Sequence, residues 1–275
     1  MKNNKKKILI YVALILISCI VGFPIFWMLA MSFRSNVEIF KVPPSLIPEK
    51  FTFEPYIEIL SNTEYLNFFK NSYFIAIIVT LFSLVVASFA GYGFSRFEFK
   101  GKKLSNLFIV ATQTIPPISL LIPYFGLIVV FKLYNTRLGL ILTYTSFCLP
   151  YSILMMTGYM NTIPTELDEA ILVDGGNRIV ALFRVILPIA VPGIIATGIY
   201  TFMLAWNEFL FALTLTKSID MRTIPVGISL LMGEHAYKWN LMMSMSILGS
   251  LPLLILYLFA QKSFISGLSA GSIKG

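Results

Sequence analysis

Four carboxylates crowd one stretch of the chain. Glu166, Asp168, Glu169 and Asp174 lie in NTIPTELDEAILVDGGNRIVALFRVILPIAVP, the segment from Asn161 to Pro192. Among them Asp174-Gly175 resembles the metal-binding acidic motifs of phosphotransferases. Such motifs need several acids at fixed spacing, and after Asp174 none follows until Glu208. A phosphate-cradling G-x-x-x-x-G-K-[ST] loop is missing too, because Gly101-Lys102 has Arg96 where the first glycine would stand. The residues point to docking rather than to catalysis, and no enzyme activity or cofactor is expected of this chain.

The pattern around the acids predicts a shape. Thr165 with Asp168 resembles a capping-box start, a hydroxyl for an orphan N–H and an acid in the first turn. Leu167, Ala170 and Ile171 fall at i, i+3 and i+4, the register of a helix stripe. Gly175-Gly176 ends that helix, since glycine tolerates the left-handed conformation of helix ends. Asn177 can cap a second helix over Arg178 to Leu187, with Pro188 and Pro192 near the start of an apolar run. A short acidic-apolar helix, a glycine corner and a second helix make a knob suited to a partner's groove. The same pattern also fits a self-packed loop with no partner. The candidate residues of this segment are Glu166, Asp168, Glu169, Ala170, Asp174, Gly175, Leu187 and Pro188.

A second, smaller set is polar within apolar surroundings: Gln113, Asn207 and Glu208. A charge at the bilayer centre costs ~2.5–3.5 kcal/mol on insertion scales. Glu208 lies roughly 28 Å along a helix from Ile189 at 1.5 Å per residue, near a membrane surface. It either makes a contact with another helix or chain, or reaches water. Gln113 and Thr114 precede Pro116-Pro117 and either line a pathway or bond back to their own helix.

The elements that must position these residues are membrane helices. The chain is 57% hydrophobic and 12% charged, with mean hydropathy +0.82, whereas soluble domains carry about 25% charged residues. Six apolar runs are long enough to span: Ile8 to Ser32, Asn71 to Ser95, Leu104 to Phe131, Leu138 to Met160, Ile189 to Leu215, and Leu241 to Phe264. The first follows MKNNKKK and exceeds the ~7–15 apolar residues of a cleaved signal, so it is read as an uncleaved span. Cys19 and Cys148 both fall within runs and read as packing residues. The resulting organisation is an N-terminal span (1–32), an external loop (33–70), a five-span core (71–264) containing the loop 161–188, and a tail (265–275).

A net charge of +8 would suggest nucleic acid in a soluble protein. Here it serves orientation and no nucleic-acid partner is expected. Lys2, Lys5, Lys6 and Lys7, then Arg96, Lys100, Lys102 and Lys103, form dense clusters against span ends, which puts both termini in the cytosol. The segment 161–188 is then cytosolic. The proline-rich loop from Arg34 to Lys70 and the loop from Lys217 to Asn240, with His235, Tyr237 and Trp239, are external. Prolines at 116, 117, 123, 150 and 252 interrupt the runs and suit helices that line a pathway and move, though proline is simply commoner in membrane helices.

The run Glu169-Ala170, Asp174-Gly175 and Leu187-Pro188 resembles the EAA motif of ABC importer permeases, which reads Glu-Ala-Ala, three residues, Gly, nine residues, Ile, one residue, Leu-Pro. The spacing matches throughout, with Ile171 in place of the third-position alanine and Val185 in place of isoleucine. Ala205-Trp206-Asn207-Glu208-Phe209-Leu210, Arg222 to Gly227, Gly91 to Phe97 and the tail Gly267 to Gly275 are similar to carbohydrate permeases of the oligosaccharide and glycerol-phosphate type, in their second, shorter subunit. The resemblance implies an all-α inner-membrane permease with six transmembrane helices and a cytosolic coupling helix between the fourth and fifth. It implies a sister permease in a heterodimer, two cytosolic ATPase subunits that hold ATP and Mg, and a solute-binding protein that delivers a sugar. Glu169, Ala170, Asp174 and Gly175 become coupling residues by that resemblance. Permeation of another small solute, or an ATPase-independent secondary transporter whose uptake follows an ion gradient, are the alternatives.

Overall fold

The computed structural model describes residues 2–43, 45–232 and 238–272, and the side chains of 6–43, 45–232, 238–259 and 261. The described residues are helical, without strands. In chain order the helices are α1 (Lys2–Ser32), α2 (Asn36–Ile39), α3 (Glu54–Ser61), α4 (Thr63–Arg96), α5 (Lys102–Thr114), α6 (Leu121–Val130), α7 (Arg137–Met160), α8 (Glu166–Val173), α9 (Arg178–Ile189), α10 (Val191–Trp206), α11 (Leu210–Leu215), α12 (Ile224–Leu230) and α13 (Trp239–Ser272). Four stretches, Lys6–Ser32, Thr63–Arg96, Arg137–Met160 and Trp239–Phe259, are each long and apolar enough to cross a membrane unbroken. The count reaches six if two bent pairs, Lys102–Thr114 with Pro117–Val130 and Arg178–Ile189 with Val191–Trp206, are single crossings. His235, Tyr237 and residues 273–275 lie outside the described residues, and the side chains of 267–272 do as well.

Several boundaries differ from the hydropathy reading: α1 starts at Lys2 rather than Ile8, α13 runs past Phe264 to Ser272, and three further differences have a physical reason. Helix α4 starts at Thr63 rather than Asn71 because Asn62 caps it, its Oδ1 accepting the Glu64 N–H at 2.8 Å. Hydropathy marks only the apolar part of this longer rod. The third run bends by 97°. Pro116 and Pro117 drive the preceding residues out of α space: Ile115 has ψ 121° and Pro116 has ψ 128°. The fifth run is broken twice, by a 74° bend at Ala190, ahead of Pro192, and by an unwound Asn207 to Phe209.

The chain divides into two compact units. The smaller holds 1–66 with 227–251. Its buried Arg34 donates to the Ser45 carbonyl at 2.5 Å and faces Glu38 at 3.6 Å, while Ser244 Oγ donates to the Ser32 carbonyl at 3.0 Å. Cys19 is exposed on α1, so of the two cysteines only Cys148 packs inside.

The larger unit holds 67–226 with 252–275. Its core is α7 packed against α4, α9 and α10, with Ala87, Tyr92, Met156, Met160, Leu182 and Ile186 at the centre. Glycines let these helices approach closely, as small residues do in membrane bundles. A Cβ on Gly193 would sit 2.4 Å from the Tyr159 ring, and one on Gly91 would sit 3.0 Å from the Met156 backbone. Gly193→Val is therefore expected to wedge α10 from α7 and cost roughly 1–3 kcal/mol. Thermal unfolding in mild detergent checks this, and an added Tyr159→Ala should recover part of the loss.

Candidate functional site

Helix α8 is only eight residues long, too short to be stable alone in water. It is held by what surrounds it. At its C-terminus Gly176 N–H donates to the Ile171 carbonyl at 2.8 Å and Gly175 N–H to the Leu172 carbonyl at 3.2 Å, the paired bonds of a Schellman motif. Gly175 has φ +83°, and a Cβ on Gly176 would lie 2.6 Å from Ile171 Cγ2. The first glycine is needed for its conformation and the second for space. Asn177 then caps α9, its Oδ1 accepting the Ile179 and Val180 N–H groups at 3.0 Å each.

The start of α8 departs from the capping box. Thr165 is itself helical (φ −72°, ψ −24°) and its side chain makes no cap bond. Asp168 has turned away from the N-terminus to meet other helices. Its carboxylate is fully buried. Oδ2 accepts from Arg96 Nε at 2.7 Å and Oδ1 from the Tyr92 hydroxyl at 2.5 Å, with Arg178 Nη1 at 3.8 Å. Arg96 also donates from Nη1 to the Met160 carbonyl at 3.2 Å and from Nη2 to the Ile163 carbonyl at 2.9 Å. Arg178 in turn lies over the Phe97 ring, 5.8 Å from its centre. One carboxylate thus joins the ends of α4, α7, α8 and α9.

This separates acids that the sequence groups together. Asp168 is sealed inside and touches only its own chain, whereas Glu166, Glu169 and Asp174 are exposed. The apolar stripe is likewise divided. Leu167 packs on the core and Ile171 is half-buried, while Ala170 and Val173 are exposed, Val173 at 86%. The outward face of α8 is therefore Glu166, Glu169, Ala170 and Val173, and the inward face is Leu167, Asp168 and Ile171. Tyr92, Arg96 and Arg178 were not among the residues singled out from sequence. Their signal was the i, i+4 spacing of Tyr92 and Arg96 at the end of a span, with the arginine read for membrane orientation and not as a partner of Asp168.

Behind the corner, α9 contains a π turn over Leu182–Ile186, with the Leu187 N–H bonded to the Leu182 carbonyl. The turn sits where the Pro188 ring would meet the Arg184 carbonyl of a regular helix, so widening relieves the clash. Leu187 is half-buried against the core and Pro188 is exposed.

The second candidate set lies elsewhere in this unit. Glu208 occupies the break after α10, and its carboxylate caps α11, accepting the Phe211 N–H at 2.8 Å and the Ala212 N–H at 3.0 Å. Arg222 Nη1 donates to the Leu213 carbonyl at 2.9 Å. Acid at one end and base at the other complement the helix dipole of α11. Asn207 is exposed beside it. Gln113 is exposed on α5, and Thr114 Oγ1 bonds back to the Ala111 carbonyl at 2.8 Å.

Known proteins share this chain's sequence and shape. The family model described as the inner membrane component of binding-protein-dependent transport systems matches residues 83–269. The trehalose/maltose transport system permease protein MalG of Thermococcus litoralis is 37% identical over 273 residues, 98% of each chain. The inner membrane ABC transporter permease protein YcjP of Escherichia coli is 34% identical over 276 residues, covering 100% of this chain and 99% of that one. The fold matches a chain of a bacterial ABC transporter that imports the acidic polysaccharide alginate, with TM-score 0.82 over 96% of this chain and 98% of that chain, at 20% identity.

Removing Asp168 strands the Arg96 guanidinium in the interior, which typically costs 3–5 kcal/mol. Asp168→Ala should therefore destabilise the protein by about that much, and Glu166→Ala, on the solvated face, by about 0.5 kcal/mol or less. Thermal unfolding of the two variants side by side is the measurement.

Proposed function

The chain belongs to the family of inner membrane components of binding-protein-dependent transport systems, and from that premise we propose that it is the second permease subunit of a carbohydrate importer driven by ATP. Sugar cargo is supported by the similarity to the trehalose/maltose permease. ATP and Mg are handled by two separate ATPase chains, in keeping with the missing phosphate loop. A sister permease completes the pore, and a solute-binding protein delivers the sugar from outside.

The single observation that carries this reading is α8: a short helix with a solvated face of two acids and two small apolar groups, braced from behind by its own chain. Exposed acids beside Ala170 and Val173 suit a groove with basic and apolar walls. The bracing answers the alternative of a loop packed only on itself, because the outer face stays bare after every internal contact is made. Six crossings follow if each bent pair passes the bilayer once. The basic clusters at Lys6-Lys7 and Lys100 to Lys103 then favour an N-terminus and α8 on the cytosolic side. The organisation is an N-terminal span over 1–32, an external loop over 33–70, a core over 71–264 with its coupling segment 161–188, and a cytosolic tail over 265–275. Both termini are cytosolic.

The mechanism follows from the connections. When ATP closes the ATPase pair, α8 is displaced with its groove. The glycine corner is locked by two hydrogen bonds and Asn177 caps α9 directly after it, so the displacement passes into α9. The 74° bend at Ala190 turns it toward α10, a helix at the heart of the unit. A shift of α10 against α7 switches access from one membrane face to the other. Glu166, Glu169, Ala170 and Asp174 form the docking surface, Gly175 fixes the corner, and Leu187 and Pro188 form the joint. Asp168 is the internal anchor.

Glu169→Lys should leave the protein in the membrane at normal abundance yet abolish ATP-driven sugar uptake in cells. Uptake at the wild-type rate, or uptake that follows an ion gradient after loss of the ATPase, would overturn the assignment.

A further inference from the structure

We infer that Arg96 and Asp168 are positioning residues that fasten α8 to α4, so that the stroke of α8 is delivered to α4 as well as to α9 and α10. The inference rests on α8 being the ATPase-docking helix and adds a second route out of it. Along the chain α8 connects only to the turn after α7 and to the glycine corner before α9. Neither is a direct link to α4, which lies some seventy residues earlier. The link to α4 is made by side chains.

Arg96 stands at the last residue of α4, and all three of its guanidinium nitrogens are used across the junction. They reach Asp168 on α8, Met160 at the end of α7 and Ile163 in the intervening turn. Tyr92, one turn earlier on α4, takes the other carboxylate oxygen and also donates to the Arg178 carbonyl at 3.4 Å. Two donors from one helix on the two oxygens of one carboxylate fix its orientation as well as its distance. Both charged side chains are nearly without exposure, 3% for Arg96 and 0% for Asp168. Such a pair resists separation, since parting it leaves two uncompensated charges. A surface ion pair would be worth little and would slide under load.

The purpose of a buried pair here is therefore geometric. Leu167 and Ile171 alone would let an eight-residue helix roll on its apolar back. The ion pair fixes its roll and ties its position to α4.

The test uses the assembled importer in lipid nanodiscs, with the sister permease, ATPases and binding protein. Asp168→Asn keeps the side chain's shape and removes its charge, and none of its atoms reaches the docking surface. Intact assembly is checked by co-purification, and uptake and ATP hydrolysis are measured on the same sample. The expected result is continued hydrolysis with sugar moved per ATP reduced by about tenfold, within the roughly 5–150-fold range of coupling between sites. An unchanged ratio overturns the inference.

If Asp168→Asn does not assemble, the native pair is tested directly. Spin labels at Glu98, just beyond α4, and Leu172 on α8, with Cys19 replaced by serine, report their separation with and without ATP. A constant separation while α8 moves relative to α13 supports the fastening. A separation that changes with ATP overturns it. In that case loss of uptake by Glu169→Lys would still stand, so failure of the latch and failure of the docking assignment are distinguishable.

Discussion

A carboxylate removed from water must be matched by its own chain, and Asp168 is matched by two donor side chains of α4, Tyr92 and Arg96, with Arg178 of α9 as an ion-pair partner at 3.8 Å. This constraint organises the end of the larger unit. It decides which side of α8 faces inward, and with that which residues face outward. It brings the ends of α4, α7 and α9 to one point. The gain is specificity of arrangement more than stability, since a buried pair of charges recovers little more than its own desolvation penalty. Such definition fixes which face of a short helix stays outward.

Helix α4 carries a second polar junction near its other end. Asn71, fully buried, donates to the carbonyls of Asp220 and Arg222 at 2.7 and 2.9 Å and accepts from Arg137 at 2.8 Å. Ser72 accepts the Ile224 N–H at 2.8 Å. Beside it Asn135 holds the N–H groups of Lys217 and Ser218. Twenty-five residues separate Asn71 from Arg96, or about 37 Å of helix, somewhat more than the ~30 Å hydrocarbon thickness. Helix α4 is thus long and apolar enough to cross a bilayer with one junction toward each face.

Much of this was legible in the sequence, for identifiable reasons. The glycine corner, the Asn177 cap and the long apolar helices depend on nearby residues, and local chemistry decides them. Pro116-Pro117 announced the interruption where the third run bends by 97°, whereas Pro123, Pro150 and Pro252, read as interruptions too, lie inside continuous helices. What escaped was long-range. Nothing near Asp168 reveals that Arg96 and Tyr92 will meet it, so an acid in the first turn read as a helix-start acid. Leu167 and Ile171 read as partner anchors because a stripe shows which residues share a face, not what covers it. The break after Trp206 was hidden within a continuous apolar run, and only the structure identifies Glu208 as the cap of the helix beyond it. Helix α12, seven residues beginning Ile224-Pro225, was hidden inside what read as a loop.

The most direct measurement places a photo-crosslinking amino acid at Val173, the most exposed position on the outer face of α8, in the importer assembled in its native membrane. The account predicts a crosslink to the nucleotide-hydrolysing subunit that disappears when that subunit is absent. A crosslink to the solute-binding protein, or none to any second polypeptide in a complex that transports normally, would contradict it.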